Sequence, residues 1–387
     1  MSTDLHVRPP TGLVRIGGVP FLFTAAVGRM PAAMIQLGML LFVTRSGGGL
    51  ALAGLTVAAL GVGSAIGAPL VGRLVDRFGP LRILLGCTAI QVACMVALIR
   101  VVGHQLPTLL LAALLGAANP QVAAVARSRW TRLVRDRGTG AGADRLMGRA
   151  LGYESAMDEV SFVLGPAVGG ALIGGLGARP GLLAVIAITV LGQGAFAVFL
   201  LRNPTLAGTS GRGPLPWSRM LLPLTAGLAV GTAFGATQTG LTAHFEATGR
   251  PGLTGAVYAL VGVGSAVASL LAGRLPGPLW PRMLAGGAIL TCGALTMAYA
   301  SALPLLALGA LVVGVGVGPL LVSGFTLVER AAPRQSLTTA MTAMATATVV
   351  GVALGAAVGA RLDQALFLTA GAGALAVLLG LFARRAR

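Results

Sequence analysis

The chain has 387 residues, of which 56% are hydrophobic and only 10% charged, and its formal net charge is +18. A soluble domain carries about a quarter charged residues, so the composition excludes a water-soluble globular protein and indicates one that lives in a bilayer. The charge does not indicate nucleic acid, because all 28 basic residues are arginines scattered between apolar runs instead of gathered in one patch.

Roughly 20 apolar residues cross a bilayer. Runs at 19–44, 49–73, 82–103, 106–126, 150–176, 180–201, 218–245, 252–274, 282–302, 303–327, 337–360 and 364–383 predict an all-α membrane protein with twelve transmembrane helices. Most arginines fall on one side, in stretches such as Arg73–Arg82, Arg127–Arg149 and Arg202–Arg219, whereas the other side holds Arg45, Arg100, Arg179, Arg250 and Arg361. The arginine-rich side reads as cytoplasmic, with both termini inside, and Trp130, Trp217 and Trp280 on that edge read as interfacial anchors. Residues 1–18 form a cytoplasmic tail, 19–202 a first six-helix bundle, 203–217 a flexible linker, and 218–387 a second bundle with a short basic tail. The first apolar run is too long for a signal peptide and lacks a small-residue cleavage pattern. Cys87, Cys94 and Cys292 lie inside predicted helices, where a structural disulfide is not expected. Arginine without lysine suits a GC-rich bacterial genome and a multi-pass protein of the cell membrane.

The first span carries Arg29 about ten residues from the cytoplasm, and Gln36 further along. The second ends in GVGSAIGAPLVGRL at 61–74, which returns as GVGSAVASLLAGRL at 262–275 with nine of fourteen positions identical and an offset of 201. Gly54 and Pro80 keep that offset to Gly255 and Pro281. Six spans per half put both copies in one orientation, a parallel repeat of the kind used by secondary transporters.

The second span closes with Gly72-Arg-Leu-Val-Asp76-Arg77-Phe-Gly79-Pro-Leu-Arg82. The glycines allow a tight turn, Asp76 is placed to accept hydrogen bonds at a helix N-terminus, and Arg77 and Arg82 face lipid phosphates. The segment resembles the cytoplasmic signature loop of the major facilitator superfamily, G-x-L-x-D-R-x-G-x-x-R. The resemblance implies a latch between the halves in the outward-facing state, received near Ser336–Thr339; the alternative is plain topology-setting charge. The second copy keeps Gly273, Arg274 and Leu275 without an acid matching Asp76.

Asn119 lies in the fourth span. The resemblance leads one to expect an arginine there, four residues before a glycine, but aligned on Gly116 that position is Ala112. The loop 127–149 is expected to be mobile, its arginines against anionic headgroups. The fifth span holds Gly152, Ser161, Gly165, Pro166, Gly169 and Gly170. It is similar to the superfamily's antiporter motif, G-x8-G-x3-G-P-x2-G-G, with Ser161 in place of a glycine. That similarity implies an exporter of the drug:proton antiporter branch, with the glycines packing against the other half; the alternative is a packing motif without directional meaning.

The same span carries Glu154, Asp158 and Glu159. Acids inside a span cost about 2.5–3.5 kcal/mol each on insertion scales and face a cavity or a partner. At 1.5 Å per residue, Asp158 and Arg29 both sit about 14–15 Å deep, level with Asn119. This is either a proton-titratable site, with Asp158 the first choice, Glu154 or Glu159 assisting and Arg29 the counter-charge, or a structural ion pair.

In the second half, Gln238 and Thr242 share a face of the seventh span, and Thr338, Thr342 and Thr346 a face of the eleventh. With Gln36 these groups either line a substrate cavity or bond to their own helix carbonyls. His244 and Glu246 are two apart and make no metal site. Gly61-x-Gly63-x-x-x-Gly67 has the wrong spacing for a dinucleotide loop and is a packing motif. No catalytic constellation and no cofactor is expected. The resemblance implies alternating access. The expected function is proton-driven export of a small, amphipathic molecule, with protons, substrate and membrane lipids as partners and a monomer as the working unit. The alternatives are a proton-coupled uptake symporter and a non-transporting scaffold or sensor.

Overall fold

The computed structural model describes residues 12–204, 214–250, 253–359, 362 and 364–385. Residues 1–11 of the expected tail, 205–213 of the expected linker and Arg361 lie outside the described residues. The described residues are all helical apart from turns. In order, the helices are α1 (Leu13–Gly17), α2 (Val19–Val43), α3 (Gly49–Phe78), α4 (Pro80–Val101), α5 (Gln105–Ala117), α6 (Val122–Arg135) and α7 (Ala141–Leu176). They continue as α8 (Ala178–Arg202), α9 (Trp217–Ala247), α10 (Leu253–Ala272), α11 (Trp280–Ala298), α12 (Leu303–Ala331), α13 (Leu337–Gly359) and α14 (Ala365–Arg385).

Helix ends follow local chemistry. Gly79 (φ 86°) turns α3 into α4, and Gly177 (φ 91°) turns α7 into α8, both in a region that favours glycine. Pro80, Pro281 and Pro304 sit in the first turns of their helices, where a missing N–H costs nothing.

Among the described residues, eleven segments are long and apolar enough to cross a membrane. Twelve were expected. The ninth, 282–302, falls on α11, whose 19 residues open with Trp280, Pro281 and Arg282 and so fall short in apolar length. The fourth span differs more. It runs Gln105–Arg135 and is broken between α5 and α6, because Pro120 cannot continue the hydrogen-bond ladder. The expected loop 127–149 is mostly helix: α6 runs to Arg135 and α7 begins at Ala141.

One packing scheme occurs twice. α2 packs on α7 and α8, α3 on α5, and α4 on α5 and α8; α9 packs on α13 and α14, α10 on α12, and α11 on α12 and α14. The repeat explains this at atomic level. A Cβ on Gly63 would collide with the Ala113 carbonyl, and one on Gly264, 201 residues later, with that of Leu311. From the other side, Gly116 abuts the Leu60 carbonyl and Gly314 that of Val261. With no hydrophobic drive between helices in lipid, such backbone approach supplies the packing. Between the halves, α3 meets α13, α7 meets α10 and α12, and α6 meets α13.

Candidate functional site

The middle of the first half holds a closed charge cluster. Arg29 of α2 donates to Asp158 Oδ1 at 2.8 Å and to the Glu154 backbone carbonyl at 3.1 Å, and ion-pairs with Glu154 Oε2. Its Nε donates to the Ala25 carbonyl at 3.1 Å. Arg127 of α6 ion-pairs with Asp158 Oδ2, and Trp130 Nε1 donates to Glu154 Oε1 at 2.9 Å. Arg29, Arg127 and Glu154 are all at most 5% exposed. Two guanidinia balance two carboxylates, and every carboxylate oxygen has a donor, which is how ions are tolerated at depth.

Two members of this cluster differ from the sequence expectation. The charge pattern predicts Arg127 in a lipid-facing loop and Trp130 at the membrane interface, yet both are buried helical residues. The helical spacing of Arg127, Trp130, Thr131 and Val134, all buried, was the sequence signal for this. Asn119 does not join the cluster. It sits in the α5–α6 break, where its backbone carbonyl accepts from Gln121 and its buried Oδ1 has no hydrogen-bond partner.

Glu159, next in sequence to Asp158, faces elsewhere. It is 4% exposed, lies beside the Ser265 hydroxyl of α10, and has Asp158 and Tyr258 as its titratable neighbours. Among the described residues no arginine or histidine forms an ion pair with it.

On the arginine-rich side, the halves are joined by several contacts. Asp76 accepts from the Thr338 N–H at 3.2 Å and from the Thr339 N–H and hydroxyl at 2.8 Å each, so it caps α13 from the other half. A side chain on Gly72 would collide with Thr342. Gly79 makes the turn, Arg77 lies 4.8 Å from the Phe78 ring centre, and Arg82 is exposed. Arg135 of α6 binds Glu329 of α12 through two bonds of 3.0 Å. The Arg127 guanidinium stands 3.8 Å from the Phe325 ring centre of α12, and Ser128 meets Thr338 at 3.0 Å. Arg135, which the sequence places among the headgroup-facing arginines of 127–149, instead bonds across the halves to Glu329, a residue with no expected role.

The antiporter-like residues divide their contacts. A Cβ on Gly152 would stand 2.6 Å from the Ser269 carbonyl of the other half. One on Gly165 would stand 2.5 Å from Ala33, and one on Gly169 2.7 Å from the Met34 carbonyl. Those two glycines therefore pack on α2 of their own half, not across to the other. Gly170 is in ordinary contact with Leu37, Ser161 bonds back to the Met157 carbonyl at 2.8 Å, and α7 passes through Pro166 without interruption.

Among the expected cavity groups, Gln36 and Gln238 are exposed. Thr242 donates to the Gln238 carbonyl at 2.8 Å, and the Thr346 hydroxyl is buried without a partner. Thr342 is fully buried and bonded to the Thr339 carbonyl, while Thr338 is engaged by Asp76 and Ser128 at the edge of a small pocket it shares with Val125 and Arg129.

Comparison with known proteins agrees with this architecture. The family model described as Major Facilitator Superfamily matches residues 21–356. No curated protein sequence matches the chain. The human organic anion transporter MFSD10 (TETRAN) is similar in fold, with a TM-score of 0.71 at 17% identity, covering 97% of this chain and 100% of that one. So is a bacterial homologue of the iron transporter ferroportin in an outward-facing state, with a TM-score of 0.70 at 15% identity and coverage of 94% and 98%. The E. coli fucose:proton symporter FucP gives a TM-score of 0.71 at 13% identity, covering 94% and 98%. The chain is a multi-pass membrane protein that belongs to the major facilitator superfamily, a family of transporters and not of enzymes.

Proposed function

We propose that the chain is a proton-coupled secondary transporter that exports a small, amphipathic molecule by alternating access, with Glu159 as the coupling acid. The observation that carries this is the isolation of Glu159 in the α7–α10 seam between the halves. Glu154 and Asp158 have their charge balanced by arginines. Glu159 does not, and an unpaired buried carboxylate is costly enough that its protonation and the opening of the seam are coupled. Asp158, the first choice from sequence, then serves with Arg29, Arg127 and Glu154 as a fixed brace inside the first bundle.

The remaining parts fit around that core. Asp76 and the Arg135–Glu329 pair latch the cytoplasmic side, while Gln36 and Gln238 contact substrate. A glutamine exposed in the outer half of a span faces water in preference to lipid, which supports an outward-open cavity. In this reading α11 is the ninth of twelve spans, both termini are cytoplasmic, residues 19–202 and 218–387 are the two bundles joined by 203–217, and the protein works as a monomer in the cell membrane of a bacterium.

One observation favours uptake by symport as a second reading. Gly165 and Gly169 pack within the first bundle, so the antiporter-like motif carries little directional weight. The test is a pH-sensitive dye inside vesicles containing the purified protein, with a library of amphipathic compounds added outside. An exporter by antiport alkalinises or acidifies the lumen opposite to substrate movement, and a symporter moves both the same way. Compounds that bind, as seen by thermal stabilisation, but never cross with protons would leave a sensor and overturn the proposal.

A further inference from the structure

Buried serines in membrane helices ordinarily donate to the carbonyl four residues back. Ser128 and Ser161 do so, to Ala124 and Met157, at 2.8 Å each. Four others do not. Ser155, Ser265, Ser269 and Ser323 are at most 1% exposed, and their hydroxyls have no hydrogen-bond partner. An orphaned buried polar group costs about 1–3 kcal/mol, and natural proteins carry few of them.

These four are not scattered. Ser155 and Glu159 are four apart on α7, and Ser265 and Ser269 four apart on α10, so each pair shares a helix face. The two helices run antiparallel: Val163 faces Gly262, Gly152 faces Ser269, and Gly148 faces Gly273. That register brings Ser155 and Glu159 of α7 into the same stretch of the seam as Ser265 and Ser269 of α10. The Ser265 hydroxyl lies beside the Glu159 carboxyl without closing a hydrogen bond of normal geometry. On α12, Gly314 abuts Ser265 and Gly318 abuts Ser269. Ser323 lies five residues on, about 7.5 Å further along the axis, towards the Arg135–Glu329 pair.

We infer that these hydroxyls form a proton path from Glu159 towards the Gly148–Gly273 contact, separate from the substrate cavity. The inference rests on Glu159 being the coupling acid. A hydroxyl both donates and accepts and rotates freely, and a bridging water completes gaps between such groups. A proton leaving the Glu159 carboxyl passes to Ser265 as the Ser265 proton passes, through water admitted when the seam parts, to Ser269 or Ser155, whose own proton goes to cytoplasmic water. Each oxygen gains one proton and loses one, and no net charge remains on a serine. The other charged groups near Glu159 do not compete. Glu154 and Asp158 on its own helix are engaged by Arg29 and Arg127, and Tyr258 of α10 is the remaining titratable neighbour. The consequence is that parting of the two glycines, too slight to admit substrate, connects Glu159 to cytoplasmic water.

The test needs no substrate. The reconstituted protein is given a sudden pH change, and the infrared band of the protonated carboxyl is followed in time; Glu159→Gln identifies the band by its loss. In the double variant Ser265→Ala, Ser269→Ala the band should change by the same amplitude but about tenfold more slowly or worse. Thermal stability should be unchanged or raised, since these hydroxyls have no bond to lose. Ser155→Ala should slow the response less, and serves if the double variant does not fold. A response as fast as the parent's overturns the path and leaves Glu159 as the coupling acid. A parent with no Glu159-dependent band change overturns the coupling acid and the path together.

Discussion

The charge cluster inside the first bundle and the seam between the bundles hold carboxyl groups from one helix in opposite surroundings. Successive residues of a helix point about 100° apart. Asp158 therefore faces α2 and α6, where two arginines meet it, while Glu159 faces the serines of α10. The cluster joins α2, α6 and α7 of one half and has little reason to change as the halves move. In the proposed alternating-access cycle, the seam is the contact that is remade. A protein that must keep its bundles rigid and let their contact respond to protons would place a balanced group in the first region and an unbalanced one in the second.

The largest effect is expected at Arg29. Arg29→Ala would turn Glu154 and Asp158 into poorly paired acids like Glu159, and should cost about 3–5 kcal/mol, the usual penalty for breaking a buried ion pair from one side. Unfolding of the purified variant in detergent would show it. By contrast, Glu159→Gln removes no ion pair, and the same measurement should find it as stable as the parent or slightly more so. Equal losses for the two variants would erase the distinction.

A smaller effect is expected at the Asp76 contact on the arginine-rich side. Asp76→Asn keeps the size of the side chain but weakens its bonds to the start of α13, where the helix dipole favours a negative charge by about 0.3–1 kcal/mol. Transport should slow severalfold while equilibrium affinity for a bound compound stays within a few fold. Loss of binding in folded protein would move Asp76 from the latch to the substrate site. The smallest effect is expected at Gln238. Gln238→Ala should weaken binding only a few fold, the worth of one partly solvated hydrogen bond of about 0.5–1.5 kcal/mol, with stability untouched.

How legible these regions were in the sequence differs for physical reasons. The spans, the internal repeat and the depth of Arg29 and Asp158 follow from apolar length and rise per residue, which are local quantities. Arg127 was missed because a charged run after an apolar one reads as the end of a span, whereas here α6 carries the charge inward onto Asp158. The break at Asn119 and Pro120 is signalled by the proline and masked by the apolar run around it. The division of Asp158 from Glu159 is not a local quantity at all. It depends on which neighbour each side of α7 meets, and that is set by glycine contacts such as Gly152 with Ser269 and Gly169 with Met34.

In the proposed function the unpaired acid in the seam, and not the paired one in the cluster, carries the proton. Exchange and uphill transport in Glu159→Gln, measured with a compound shown to cross with protons in the parent, separate the two. Exchange of labelled for unlabelled compound needs no net proton movement and should persist, while accumulation against a gradient driven by pH should fall to background. Undiminished uphill accumulation in Glu159→Gln would mean that the coupling proton is carried elsewhere.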